Sequence, residues 1–460
     1  MTRPLAFALA AAGASATAAM LLPGSPAGLG WVLAALALAV AAALAQRPAD
    51  PLRSSLLGLL ALALAASAAL RDASWVVTGE LVAALVLGSI AIGALRTWRA
   101  TWVAALAPVL RLRAGARRVG SALAAALPHP ASGGHGVAVG RGLLLTGALL
   151  AIFGALFASG DRAFAQLAGN LLPSGPAFDD MPLRLIVFGV VVALAGALAQ
   201  AAAVADEPAR APLLRLGRIE WRLALVSLNG LFALFVGVQI AVLFGGDSYV
   251  RETAGETYAE YARSGFAQLV VVGLLTLAVV AGALRWSRTQ DAREARLLRA
   301  LLAALCLLTL VVLASALHRL GLYEQAFGYT RTRLAVHALL LFGGALFVLV
   351  IAALASGRRA WLARATVVLA GVFALVFWAG DPDRRIAAHN VERFGETGRI
   401  DTGYLSQLSA DAVPALARLP EPQRERALGP QRSRLERVRD GFAGANLARG
   451  RARDAIAALP

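Results

Sequence analysis

Residues 300–317 read ALLAALCLLTLVVLASAL, with Arg299 before them and His318-Arg319 after. These 18 residues carry no charge. At 1.5 Å per residue, a helix of about 20 residues crosses the roughly 30 Å hydrocarbon core of a bilayer, so the run reads as a membrane span. It is apolar at consecutive rather than alternate positions, which selects a helix over a barrel strand. Lipid offers no hydrogen bonds, and a helix satisfies each peptide group within its own segment.

Working outward, the same character recurs at Leu5–Leu22, Leu29–Leu44, Leu56–Leu70, Trp75–Leu95, Leu143–Ser159, Leu183–Val204, Leu223–Phe244, Phe266–Leu284, Leu334–Ala355 and Ala365–Ala379. The first run is read as a retained span rather than a signal peptide. The chain as a whole is 59% hydrophobic with a mean hydropathy of +0.68, against about 45–50% apolar in a soluble domain. The expected fold class is therefore all-α: a polytopic transmembrane helix bundle of about 11 spans with a small helical extracytoplasmic C-terminal tail. Residues 1–95 form a four-span region, 96–140 a basic segment and linker, 141–380 a seven-span core and 381–460 a soluble tail.

Loop charge orients the bundle. All 44 basic residues are arginine. One alternate set of connections, from Arg3 through Arg358–Arg364, holds 22 arginines against six acids, and the other holds eight against nine. Short loops rich in arginine stay in the cytoplasm. The amino terminus is thus expected inside and the carboxy-terminal tail outside, in a cell membrane crossed many times. The connection His318–Arg333 fits worst, with three arginines beside Glu324 on the outer side. A re-entrant segment is one way to account for it.

The net charge of +17 would suggest nucleic acid in a soluble protein. Here the arginines flank spans, so no nucleic-acid partner is expected. The absence of lysine excludes a phosphate-loop lysine and a Schiff base. The single cysteine, Cys306, allows no intramolecular disulfide and reads as a small buried apolar residue. No metal spacing and no nucleophile elbow appear, so neither cofactor nor metal is expected. Between Arg96 and Arg141, Trp102, Leu106, Val109 and Leu110 precede Arg111, Arg113, Arg117 and Arg118. That pattern fits an interfacial amphipathic helix or a basic loop. In the tail, Asp401, Ser409 and Asp411 supply helix starts, and Leu405, Leu408, Val413, Leu416 and Leu419 an apolar face.

Several stretches carry a family likeness: Arg141-Gly142-Leu143 through Phe164, Glu220-Trp221-Arg222 through Gly246, and Thr257 through Phe266. His318 through Thr330, Asn390-Val391-Glu392-Arg393, Asp401 through Leu405, and Asp411 through Pro414 complete it. Over about residues 141–419 the chain resembles bacterial polytopic membrane proteins of the domain of unknown function 4173 group, with 4153-like relatives. The resemblance implies a bacterial cell membrane protein and supplies no catalytic residues.

Ionisable and polar groups within spans are the natural functional suspects. Here they are Glu80, Asn229, Gln239, Gln268 and His337. Snorkelling of Glu80, interhelical hydrogen bonds from the amides and a satisfied imidazole are the plainer roles. Two outer connections are richer. Glu256, Tyr258, Glu260, Tyr261 and Arg263 precede the eighth span, and His318, Arg319, Tyr323, Glu324 and Tyr329 lie between the ninth and tenth. If these meet, acid–arginine pairs and phenols line an outer site; otherwise they form an interfacial belt. Three function classes remain open. They are a non-enzymatic sensory or accessory protein, a small-solute or ion transporter, and an enzyme acting on a lipid-linked substrate. The partners expected are the lipid bilayer and a protein within it, with oligomeric state left open.

Overall fold

The structure is a computed structural model that describes residues 3–45, 50–93, 98–126, 181–200, 217–254, 266–287, 289–358 and 360–459. The described residues are helical throughout, without a strand. The chain forms two compact units, Met1–Asp206 with Arg434–Gly450, and Glu207–Ser433 with Arg451–Pro460.

The first unit contains α1 (Arg3–Leu21), α2 (Leu29–Ala45), α3 (Pro51–Ala65), α4 (Ser67–Leu70), α5 (Ser74–Ile92), α6 (Trp98–Leu110), α7 (Leu112–Ala126) and α8 (Met181–Ala199). Its interior is built from small side chains. Ala11, Ala14, Ala41, Ala195 and Ala199 are buried with Phe7 and Val119 where α1, α2, α7 and α8 meet. Small residues let backbones approach closely, which is how helices associate where lipid removes the hydrophobic drive. The limit is reached between α7 and α8, where a Cβ added at Gly115 or Gly196 would collide with the facing backbone. Helix ends pair within the unit. Arg53 and Ser54 at the start of α3 donate to Gly93 O and Ala91 O at the end of α5, at 3.1 and 2.7 Å. Arg184 near the start of α8 donates to Ala19 O and Met20 O at the end of α1.

Residues 440–450 dock onto this unit. Arg449, only 3% exposed, donates to Asp72 Oδ1 at 2.7 Å, Asp440 Oδ1 at 2.6 Å, and the carbonyls of Ala27 and Gly444. Asn446 Nδ2 donates to Ala68 O and Arg71 O. Two backbone bonds, Leu29 N to Ala445 O and Gly30 N to Ala443 O, complete the dock. The α1–α2 and α4–α5 turns thus share one end of the unit with this segment of the tail.

The second unit is organised around α11. It comprises α9 (Arg218–Ala254), α10 (Phe266–Trp286), α11 (Ala292–Phe327), α12 (Arg331–Ser356) and α13 (Leu362–Ala379). Then follow α14 (Pro382–Thr397), the short α15 (Thr402–Leu405) and α16 (Val413–Leu416), and α17 (Gln423–Arg437) as far as Ser433; α18 (Leu447–Ala457) begins in the first unit and belongs to the second from Arg451 on. Helix α11 packs against α9, α10 and α12, and buries Leu302, Cys306, Val312, Ala316 and Leu320 against Phe347 and Val350. Asp291 caps it, accepting from Glu294 N at 2.7 Å. The five tail residues expected to form an apolar face, Leu405, Leu408, Val413, Leu416 and Leu419, are all buried, along with Ile386.

Among the described residues six helices are long and apolar enough to cross a membrane: Pro51–Leu70, Ser74–Ile92, Arg218–Gly237, Ala292–Phe327, Arg331–Ser356 and Leu362–Ala379. Of the remaining expected spans, four correspond to shorter apolar helices, Ala6–Leu21, Leu29–Ala45, Leu183–Ala199 and Val272–Trp286. The run 143–159 lies outside the described residues, as does the linker at 127–140. Large apolar side chains such as Leu223, Leu231, Leu234, Val348 and Val376 stand exposed along these helices. A surface of that kind is stable against hydrocarbon and costly against water.

One expectation is corrected. Residues 318–327 are not a loop or a re-entrant turn; they are the last turns of α11. No breaker interrupts 318–327, and Ala316, Leu320 and Glu324 recur every four residues on one buried face. At about 54 Å for its 36 residues, α11 exceeds the apolar core and carries its charged end beyond or obliquely through it.

Candidate functional site

The site lies where α11 ends, the chain turns at residues 328–330, α12 begins and the tail folds back. Gly328 makes the turn possible. Its φ of 77° with ψ of 178° belongs to a region that side chains beyond glycine essentially avoid, and a Cβ there would strike Asn390 Oδ1. Asn390, on α14, brackets the next residue: its Oδ1 accepts from Tyr329 N at 3.1 Å and its Nδ2 donates to Tyr329 O at 2.9 Å. Arg393, one turn on, donates from Nε to Gln325 O at 3.0 Å and from Nη2 to Ala326 O, answering carbonyls left free at the end of α11.

Arg331, the first residue of α12, joins three pieces of tail. Its Nε donates to Asp383 Oδ1 at 2.9 Å and its Nη2 to Oδ2, a bidentate fork. Its backbone N–H donates to the Tyr404 hydroxyl at 2.7 Å. Asp383 is fully buried and also accepts from Ser409 N at 2.9 Å. Burial raises the Tyr404 phenol above its ordinary range, although the Arg331 N–H that it accepts pulls the other way.

Beneath these clasps sits an acid–imidazole pair. Glu324 is 1% exposed, and among the described residues no donor meets either carboxylate oxygen with full hydrogen-bond geometry; His337 Nδ1 stands 3.4 Å from Oε2. The other charged or titratable groups acting on Glu324 are Arg333 and His389. Arg333 lies over the Tyr323 ring, 4.1 Å from its centroid, and donates to Phe327 O and Gly328 O. The Tyr329 ring stacks on His389 with centroids 4.5 Å apart. Burial, then the neighbouring Glu324 carboxylate, raises the Tyr329 phenol. A buried carboxylate is costly unless it is protonated or paired, and the basic groups nearest to Glu324 are the His337 imidazole and the Arg333 guanidinium.

Of the candidates read from sequence, Tyr323, Glu324 and Tyr329 come together here, and His337 joins them from α12. His318 is exposed and, six residues before Glu324, points from another face of α11. Arg319 is half-buried on α11. Glu256, Tyr258, Glu260, Tyr261 and Arg263 lie outside the described residues. Glu80 is buried in α5, and among the described residues its Oε2 meets no hydrogen-bond donor. Asn229 Nδ2 donates to Leu225 O on its own helix and Leu301 O on α11. Gln239 and Gln268 fall in α9 and α10, and their side chains lie outside the described set. Among the described residues no three His, Cys, Asp or Glu side chains are grouped to hold a metal. Asp383 and Arg449 were missed by sequence reading.

The comparisons with known proteins bear on residues 58–419, which match the family model described as a domain of unknown function (DUF4153). The chain belongs to the DUF4153 family. No curated protein and no solved structure matches it. Within this DUF4153 protein the matched stretch includes α5 and everything that builds the Glu324 site, from α11 to Tyr404 and Ser409. It begins well before residue 141, and it takes in Asp72 but ends before Arg449.

Proposed function

We propose that this DUF4153 protein is a non-enzymatic sensory or accessory protein of the bacterial cell membrane, crossing it about 11 times. In this reading the amino terminus is cytoplasmic and the tail is an extracytoplasmic cap over the Glu324–His337 pair. The observation that carries the reading is the Arg331 fork to Asp383, which ties tail docking directly to the helix turn above Glu324. A change in charge at the buried pair is thereby coupled to whether the cap is closed. The grouping of ends, although not the choice of inner side, draws support from helix-end pairing. Pairs such as Arg184 with Ala19 and Arg222 with Glu294 join ends that loop charge assigns to one side.

The reading is tested by hydrogen exchange across residues 382–419 in the full chain, alongside the phenotype of a deletion strain. Asp383→Asn is expected to speed exchange there and to reproduce the deletion phenotype. A strain carrying Asp383→Asn that behaves as wild type, despite a released cap, would refute the sensing role. A second reading, transport of an ion or small solute, is favoured by Glu80, a buried acid within a span. Flux into proteoliposomes that is lost in Glu80→Gln would select it.

A further inference from the structure

At the opposite end of the α11–α12 pair lies a cleft of about 290 Å³, lined by Arg296, Arg299, Ala300, Ala303, Leu354 and Ala355. Its two parts differ in chemistry. Arg296 and Arg299 stand on the first turns of α11, whereas Ala303 lies seven residues beyond Arg296, about 10 Å further along the axis. The cleft is therefore cationic at one end and apolar at the other.

The acids of this end are already engaged. Glu294, buried, takes Arg218 at 2.6 Å, Arg222 at 3.3 Å and the backbone N–H of Gln290 at 2.8 Å, and Asp291 is occupied as the cap of α11. Among the described residues neither Arg296 nor Arg299 is paired with a carboxylate. Arg299 Nε donates to Ala295 O of its own helix, and its guanidinium lies beside Gly357 at the end of α12. The amino end of α11 and the carboxy end of α12 present opposed dipoles here, so the local potential is set by the two guanidiniums.

We propose that this cleft binds an anionic phospholipid, with the phosphate on Arg296 and Arg299 and hydrocarbon along Ala300, Ala303 and Leu354. A guanidinium fork matches phosphate oxygens, and basic pockets between spans on the cytoplasmic side hold anionic headgroups. Loop charge assigns this end to that side. Free phosphate shares the headgroup chemistry but has no use for the apolar wall. The proposal is independent of the Glu324 reading.

The test is thermal unfolding of the purified full chain in detergent with added phosphatidylglycerol, phosphatidylcholine or inorganic phosphate. A ligand that binds only the folded state raises the apparent Tm by mass action. Phosphatidylglycerol is expected to raise Tm where the other two do not. The shift should vanish in Arg296→Gln/Arg299→Gln and survive in Arg426→Gln/Arg432→Gln, exposed arginines of the tail. Ala355→Trp, which fills the cleft while keeping both charges, should also abolish it, and native mass spectrometry should then count less retained phosphatidylglycerol. An undiminished shift in either cleft variant overturns the proposal. So does an equal shift with phosphatidylcholine, or one reproduced by inorganic phosphate alone.

Discussion

Asp383 has no exposure to solvent and holds its charge through Arg331 and the Ser409 amide. Asp383→Asn keeps the shape and discards the charge, leaving a partly buried guanidinium facing an amide. The loss is expected to weaken tail docking by about 2–3 kcal/mol, the scale of a charged hydrogen bond lost inside a protein. Protease cleavage rates between residues 380 and 420 measure it. Arg331→Lys keeps the charge but should also weaken docking, since a point charge cannot form the fork. Tyr404 offers a milder probe. Tyr404→Phe removes the acceptor of the Arg331 amide and should cost about 1 kcal/mol. Because burial raises both the Tyr404 and Tyr329 phenols, their neutral forms belong to the closed cap. For a raised acid, this contribution is complete below the unfolded phenol value of about 10 and is lost as pH climbs through the higher folded value. Phenolate absorbance is therefore expected to lag that of a free tyrosine on alkaline titration, then rise together with cap release. Absorbance that follows free tyrosine throughout would contradict this.

Helix α14 depends on the turn that receives it. In Gly328→Ala the new methyl group meets Asn390 and the backbone leaves a glycine-only region, so docking should weaken by about 1–3 kcal/mol. Asn390→Ala should weaken it as well, and the double variant should lose less than the sum, because both act on one contact. Faster hydrogen exchange in residues 382–397 reports each loss; strict additivity would argue that turn and helix do not cooperate. The same elements show what sequence could and could not reveal. Six helices long and apolar enough to cross a membrane were legible because lipid demands long apolar runs, and the tail's apolar face was legible because five residues share one pattern. The extension of α11 through Phe327 was not, since polar residues at a membrane edge look alike in a loop and on a helix. Glu324 and His337 were each visible, yet their pairing depends on the Gly328 turn bringing 13 residues of separation down to 3.4 Å. Asp383 read as one more charge at the start of a soluble tail; only the Arg331 fork marks it out.

For the whole molecule, the side on which each end lies is the property that other readings depend on, and the chain is suited to measuring it. Its sole cysteine, Cys306, is fully buried in α11. The unaltered protein should therefore stay silent toward an impermeant thiol reagent, and each introduced cysteine reports alone. Glu396→Cys and Arg432→Cys place exposed thiols in the tail, whereas Arg117→Cys, Arg293→Cys and Arg358→Cys place them at the arginine-rich ends. Intact cells should label the first two, and only permeabilised cells should label the other three. The arginine-rich sites test both units, since Arg117 belongs to the first and Arg293 and Arg358 to the second. Exchange of the two labelling classes would invert the orientation and move the lipid cleft to the outer leaflet. Labelling of Arg117→Cys with the tail sites would instead mean that an odd number of crossings separates α7 from α11, which would remove residues 143–159 or another short run from the set of spans.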